Sequence, residues 1–138
     1  MAGLIQAKLD KLKDREYLLR PVAFGVLDLM TKRIHHEGKA SDGQQIGQYS
    51  TGYLAERQKY NRGSDPTVII SFTRQLENDY SVVATDKGYG IGFLNKHNFD
   101  KSQWVQGRYK KKIFELTGIE KKYALDYIND LVNSVINA

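Results

Sequence analysis

Cysteine is missing from the 138-residue chain. That excludes a disulfide scaffold, a thiol nucleophile and every cysteine-based metal or iron–sulfur centre, and it fits a reducing compartment. Histidine is scarce: His35 and His36 are adjacent and His97 is distant. Neighbours on a helix point about 100° apart, so the pair is a poor chelate and no metal site is expected. No apolar run approaches the roughly 18 residues of a membrane span. Met1–Arg15 alternates charged with apolar residues, where a secretory signal needs an unbroken apolar stretch. The expectation is one soluble domain made in a cytoplasm, with no membrane partner. The length suits a single domain, residues 1–138, able to bury a real core.

Catalytic constellations are equally absent. Gly88-Tyr89-Gly90-Ile91-Gly92 is rich in glycine, but it is not Gly-x-Gly-x-x-Gly and no helix follows on which a phosphate would rest. Glu77, Asp79 and Asp86 gather around a hairpin, where turn residues are expected. Ser50 and Ser71 lack a nucleophile-elbow motif. The reading is of a protein that is not an enzyme and takes no cofactor.

What is present is a mild basic excess and many tyrosines. Lys plus Arg number 21 and Asp plus Glu 16, giving a net charge of +5, and there are nine tyrosines. The dense basic cluster is Arg108, Lys110, Lys111 and Lys112. It suits contact with phosphate, and it equally suits a solvated turn before a helix.

The periodicity predicts an α+β fold: N-terminal helices, a small antiparallel sheet, and a C-terminal helix packed on that sheet. Residues 1–37 form the helical N-terminal region. Ile5, Leu9, Leu12, Leu19, Ala23, Val26, Leu27, Met30 and Ile34 recur at steps of three and four. Pro21 interrupts this stripe; either one helix kinks there, or one ends near Leu19 and another begins at Pro21. Residues 38–66 are a long loop with a short helix over Tyr49–Tyr60. A loop spanning 37–50 is long for a packed connector and is expected to order against a neighbour. Residues 67–94 carry the strands. Thr67–Thr73 (TVIISFT) is the densest β signal, Arg74-Gln75-Leu76 reads as a tight link with Leu76 buried, and Tyr80–Thr85 and Tyr89–Leu94 form a hairpin. Gly90 and Gly92 on one face suggest another backbone or a helix lying close over them. Residues 95–117 read as irregular, with a short extended piece at Lys111–Leu116. Residues 118–136 form the last helix, with Thr117 and Glu120 as its capping box.

Four segments carry a resemblance. Asp42–Ser50 (DGQQIGQYS), followed by Tyr53 and Arg57, forms a glycine-rich loop leading into a Tyr-Ser…Tyr…Arg segment. Val68–Leu76 (VIISFTRQL) stands for a strand ending in Thr-Gly-x-Leu, with Arg74 where glycine is frequent. Tyr89–Phe93 (YGIGF) is a hairpin strand with small residues, and Lys112–Thr117 (KIFELT) precedes the last helix, with Lys112 where arginine is usual. In this order they resemble the virion-morphogenesis and tail-completion (head–tail connector, neck) proteins of tailed bacteriophages. The resemblance implies a structural virion protein, a neck, tail-completion or tail-terminator-like subunit, made in the host bacterial cytoplasm. It would assemble as a homo-oligomeric ring at the head–tail junction. Its partners would be other neck, portal-side or tail-tube proteins and DNA passing through the channel. There are no catalytic residues to carry over. Candidate DNA-channel contacts are Arg108, Lys110, Lys111 and Lys112; candidate subunit contacts are Ile5, Leu9, Leu12, Ile46 and Tyr49. The alternative is a small basic nucleic-acid-binding protein, with Trp104 and Tyr109 as stacking platforms.

Overall fold

Asp14 divides the N-terminal apolar stripe into two helices. The computed structural model describes residues 2–61, 63, 65–70 and 75–138, and in it α1 spans Ala2–Lys13 and α2 Arg15–Thr31. Asp14 is extended, at φ −79° and ψ 100°, and its carboxylate accepts the N–H of Tyr17 at 3.2 Å. A capping carboxylate satisfies a donor that no helical carbonyl can reach. The boundary therefore falls at Asp14, and no helix begins at Pro21: the proline lies inside α2, on its exposed side.

α2 ends in a π turn over Lys32–His36, with the Glu37 N–H donating to the Lys32 carbonyl at 2.8 Å. The turn buries three consecutive residues, Arg33, Ile34 and His35. Arg33 donates from Nε to Glu120 at 2.8 Å, and its remaining nitrogens donate to the carbonyls of Lys39, Ile113 and Glu115. One side chain thus ties the segment after α2, the lead-in to the last helix and that helix's first turn.

The segment from 38 to 50 is ordered by its own chain, against expectation. Gly38, at φ +69°, turns the backbone where the Val68 carbonyl leaves no room for a Cβ. Lys39 bridges Gln45, Gln48 bridges Thr67, and Ala40 and Ile46 are fully buried. α3, Thr51–Lys59, follows with Ser50 as its cap.

Thr67–Thr73 is not a strand over its described part. Thr67 makes one isolated bridge and Val68 is buried, but Ile70 sits at φ +50°. A β-branched residue in the left-handed region ends an extended run. Ser71–Thr73 and Arg74 lie outside the described residues. Gln75 and Leu76 open the short helix α4, Gln75–Asp79, with Leu76 half-buried.

The hairpin forms as expected. β1, Tyr80–Thr85, pairs antiparallel with β2, Gly88–Phe93, across a two-residue turn, with Tyr80 opposite Phe93 and Val82 opposite Ile91. Tyr80 stacks on Phe93 at 4.9 Å, and Phe114 meets both rings edge-on. Among the described residues nothing lies within 4 Å of where side chains on Gly90 or Gly92 would begin, so nothing approaches those two positions closely.

Residues 95–108, read as irregular, are mostly helix: α5 spans Lys96–Tyr109, with Asn95 capping it through His97 N–H at 2.8 Å. Lys111–Leu116 forms no strand; the Gln106 side-chain carbonyl accepts the N–H groups of Ile113 and Phe114 instead. α6, Gly118–Ile136, begins at the Thr117–Glu120 capping box. The result is α+β: six helices and one antiparallel hairpin among the described residues. α2 lies against both strands of the hairpin, α4 and α5 also meet the hairpin, and α6 packs along α2. The core is the α2 stripe Val22, Val26, Met30 and Ile34, closed by Ala40, Ile46, Val68, Tyr80 and Ile113.

Candidate functional site

The basic cluster is divided by the end of α5. Arg108 occupies the last turn, and Lys110 terminates the helix in the left-handed conformation, at φ 54° and ψ 39°. Lys111 is paired with Asp42 at 3.1 Å. The N–H of Gln44 first, and then the Lys111 ammonium, hold the Asp42 carboxyl below its ordinary range. The Lys112 carbonyl accepts both the N–H and the hydroxyl of Ser41, while its ammonium lies 3.6 Å from Glu115. Of the four candidate DNA contacts, Lys111 therefore ties down the segment around Asp42. Arg108 and Lys110 are exposed with no carboxylate partner among the described residues.

The candidate subunit contacts separate in the same way. Ile46 is 2% exposed and belongs to the core, so it is unavailable to a neighbour. Ile5 and Leu9 are 58% and 43% exposed, and Leu4 beside them is 56% exposed. Leu12 and Lys8 are half-buried on the inner side of α1. Lys8 reaches the Ile136 carbonyl at the end of α6 at 2.8 Å. The apolar stripe of α1 is thus wider than the strip the body covers.

Tyr49 belongs to a different feature, a cleft of about 680 Å³ between α5 and the segment leading into α3. Tyr49, Tyr53, Trp104 and Tyr109 give it aromatic walls, and Val68, Ile70, Leu76 and Val105 an aliphatic lining. Ser50, Gln75, Glu56, Lys101 and Arg108 supply its polar groups. Tyr49 is fixed: its hydroxyl oxygen accepts the Ile69 N–H at 3.1 Å, and the buried Arg57 guanidinium lies 4.5 Å from its ring centre. Burial raises the Tyr49 hydroxyl above its ordinary pKa. Trp104 is 66% exposed. The nucleic-acid alternative already groups Arg108 with Trp104 and Tyr109, and the fold adds Tyr49, named apart from them as a subunit contact. Lys101 and the aliphatic lining were not foreseen, because α5 was read as irregular and its one-sided spacing went unused.

The two adjacent histidines diverge. His35 is buried, with Nδ1 2.8 Å from the Ile70 carbonyl, while His36 is exposed and lies 3.5 Å from Glu77. Among the described residues no group of three or more His, Cys, Asp or Glu could hold a metal ion, and no helix is long and apolar enough to cross a membrane. No protein-family model matches the chain, and no curated protein or solved structure matches it.

Proposed function

We propose that the chain is a structural subunit of a tailed-bacteriophage virion, of the neck, tail-completion or tail-terminator kind, that assembles in a ring at the head–tail junction. The observation that carries this reading is α1, whose Leu4, Ile5 and Leu9 stay exposed while the helix is anchored to the body through its inner side. A helix isolated in water gains nothing from such residues; a helix that meets a neighbour does. The four-segment resemblance supplies the kind of assembly. Subunits of a ring meet through two different surfaces, and the contact closes when the rotation divides the circle. Each interface can then be modest, because several act together. DNA passing through such a ring would meet exposed cations, and Lys110 is the member of the basic cluster left for it that lies outside the cleft and has no carboxylate partner among the described residues.

The test is the double substitution Ile5→Asp and Leu9→Asp. Both side chains are exposed, so the melting temperature of the isolated chain should stay nearly unchanged. Purified wild-type protein should restore the joining of heads to tails in an extract lacking the chain, and the double variant should not. Full restoration by the variant contradicts the reading. A large loss of stability would assign these residues to the subunit's own packing instead.

A further inference from the structure

The aromatic cleft is built by elements other than α1, and of the candidate subunit contacts Tyr49 is the member that lines it. We propose that it is a docking groove for an acidic peptide segment of another protein, one that inserts a large apolar side chain between Trp104 and Tyr49. Two properties carry this. The first is the lining: Val68, Ile70, Leu76 and Val105 give an aliphatic interior that favours an apolar anchor and offers few groups to a polar one. The second is charge. Lys101 and Arg108 stand at the cleft, and Lys101 bonds only the neutral Gln75 amide, at 2.5 Å, among the described residues. Lys110 adds a third exposed cation just beyond α5. Glu56 is the single carboxylate of the lining. The rim is therefore short of negative charge, which an acidic segment supplies.

The chain's own exposed apolar segments do not fit this charge. Leu4, Ile5 and Leu9 lie among Lys8, Lys11 and Lys13 against one carboxylate of α1, Asp10, and beside Ile119 and Leu125, Lys121 remains once Lys122 is paired with Asp126. A second copy would bring cations to cations. A nucleic-acid strand fits less well than a peptide. It needs a track of cations along its phosphates; here Lys111 is held by Asp42 and Lys112 faces Glu115. Stacked bases would also set their polar edges against aliphatic side chains.

Trp104 is the only tryptophan, so its emission reads the cleft directly. The experiment selects a displayed library of random linear peptides on the purified full chain, then titrates the enriched peptides while following Trp104 emission. The expected pool is rich in Asp and Glu around one Phe, Leu or Trp. Its best members should shift the emission to shorter wavelength and lose affinity at least about tenfold with Arg108→Glu. Lys101→Glu, on another turn of α5, should do the same, and circular dichroism checks that each variant keeps its helices. No enrichment, a pool without acidic bias, or affinity unchanged in both variants overturns the proposal. So does oligothymidylate acting on Trp104 at lower concentration than the best peptide, which would give the cleft to nucleic acid. None of these outcomes bears on the ring, which rests on α1.

Discussion

Arg33 and Glu120 form an ion pair with side chains only 8% and 5% exposed. Glu120 also closes the cap of α6, accepting the Thr117 N–H at 3.0 Å. Removing one partner of such a pair strands the other charge and the carbonyls it served. Arg33→Ala should therefore lower the unfolding free energy by about 3–5 kcal/mol, read from the denaturant midpoint. A loss under about 1 kcal/mol, the scale of a surface pair, would contradict the central position given to Arg33. His35 gives a pH signature. Its Nδ1 carries the proton, because the Ile70 carbonyl can only accept, and Nε2 is buried without a partner among the described residues. Burial lowers its pKa from 6.5. Below that value the unfolded chain binds a proton that the folded chain resists. Stability should thus fall as pH drops through about 6.5 and be insensitive to this group above it. His35→Gln, which keeps an N–H donor, should flatten the dependence of melting temperature on pH in this window; an unchanged slope would assign it to other groups.

At the scale of elements, α2 and α6 approach closely because Gly25 leaves room for the Tyr123 hydroxyl. Gly25→Ala should cost about 1–3 kcal/mol by overpacking, and less in a Tyr123→Phe background, where the obstructing oxygen is gone. Equal costs in both backgrounds would show that the two residues do not meet. The elements legible in the sequence were those in which period and boundary chemistry agree. α6 has an apolar stripe and the Thr117–Glu120 box, and the hairpin has alternation on both sides of Asp86-Lys87. Thr67–Thr73 misled because β-branched residues also serve burial in an irregular segment: Val68 fills the core and Ile70 packs against it from a left-handed backbone position that no strand continues through. α5 was missed because its single buried residue is Ser102, and Phe99 and Trp104 are exposed. Its caps at Asn95 and Lys110 were the available signal. The cleft was half legible for the same reason: a helix over Lys96–Tyr109 sets Lys101, Trp104, Arg108 and Tyr109 on one wall, and Tyr49 and Tyr53 face them from the segment into α3.

For the whole molecule, the body is closed around α2, and the apolar groups it leaves uncovered include the outer flank of α1, the aromatic cleft beside α5, and Ile119 and Leu125 on α6. A net charge of +5 spread over the surface does not by itself select a nucleic-acid partner. Within the basic cluster, Lys111 is consumed by intramolecular pairing with Asp42. The proposed assembly role gives the exposed apolar residues of α1 a partner surface. The most direct test is imaging of particles made by the genome that encodes the chain, with a tag placed after Ala138 and labelled by a gold-conjugated binder. The account predicts label confined to the junction of head and tail, in several copies arranged as a ring. Particles that carry no label, with the tagged chain free in the lysate and infectivity intact, would contradict it.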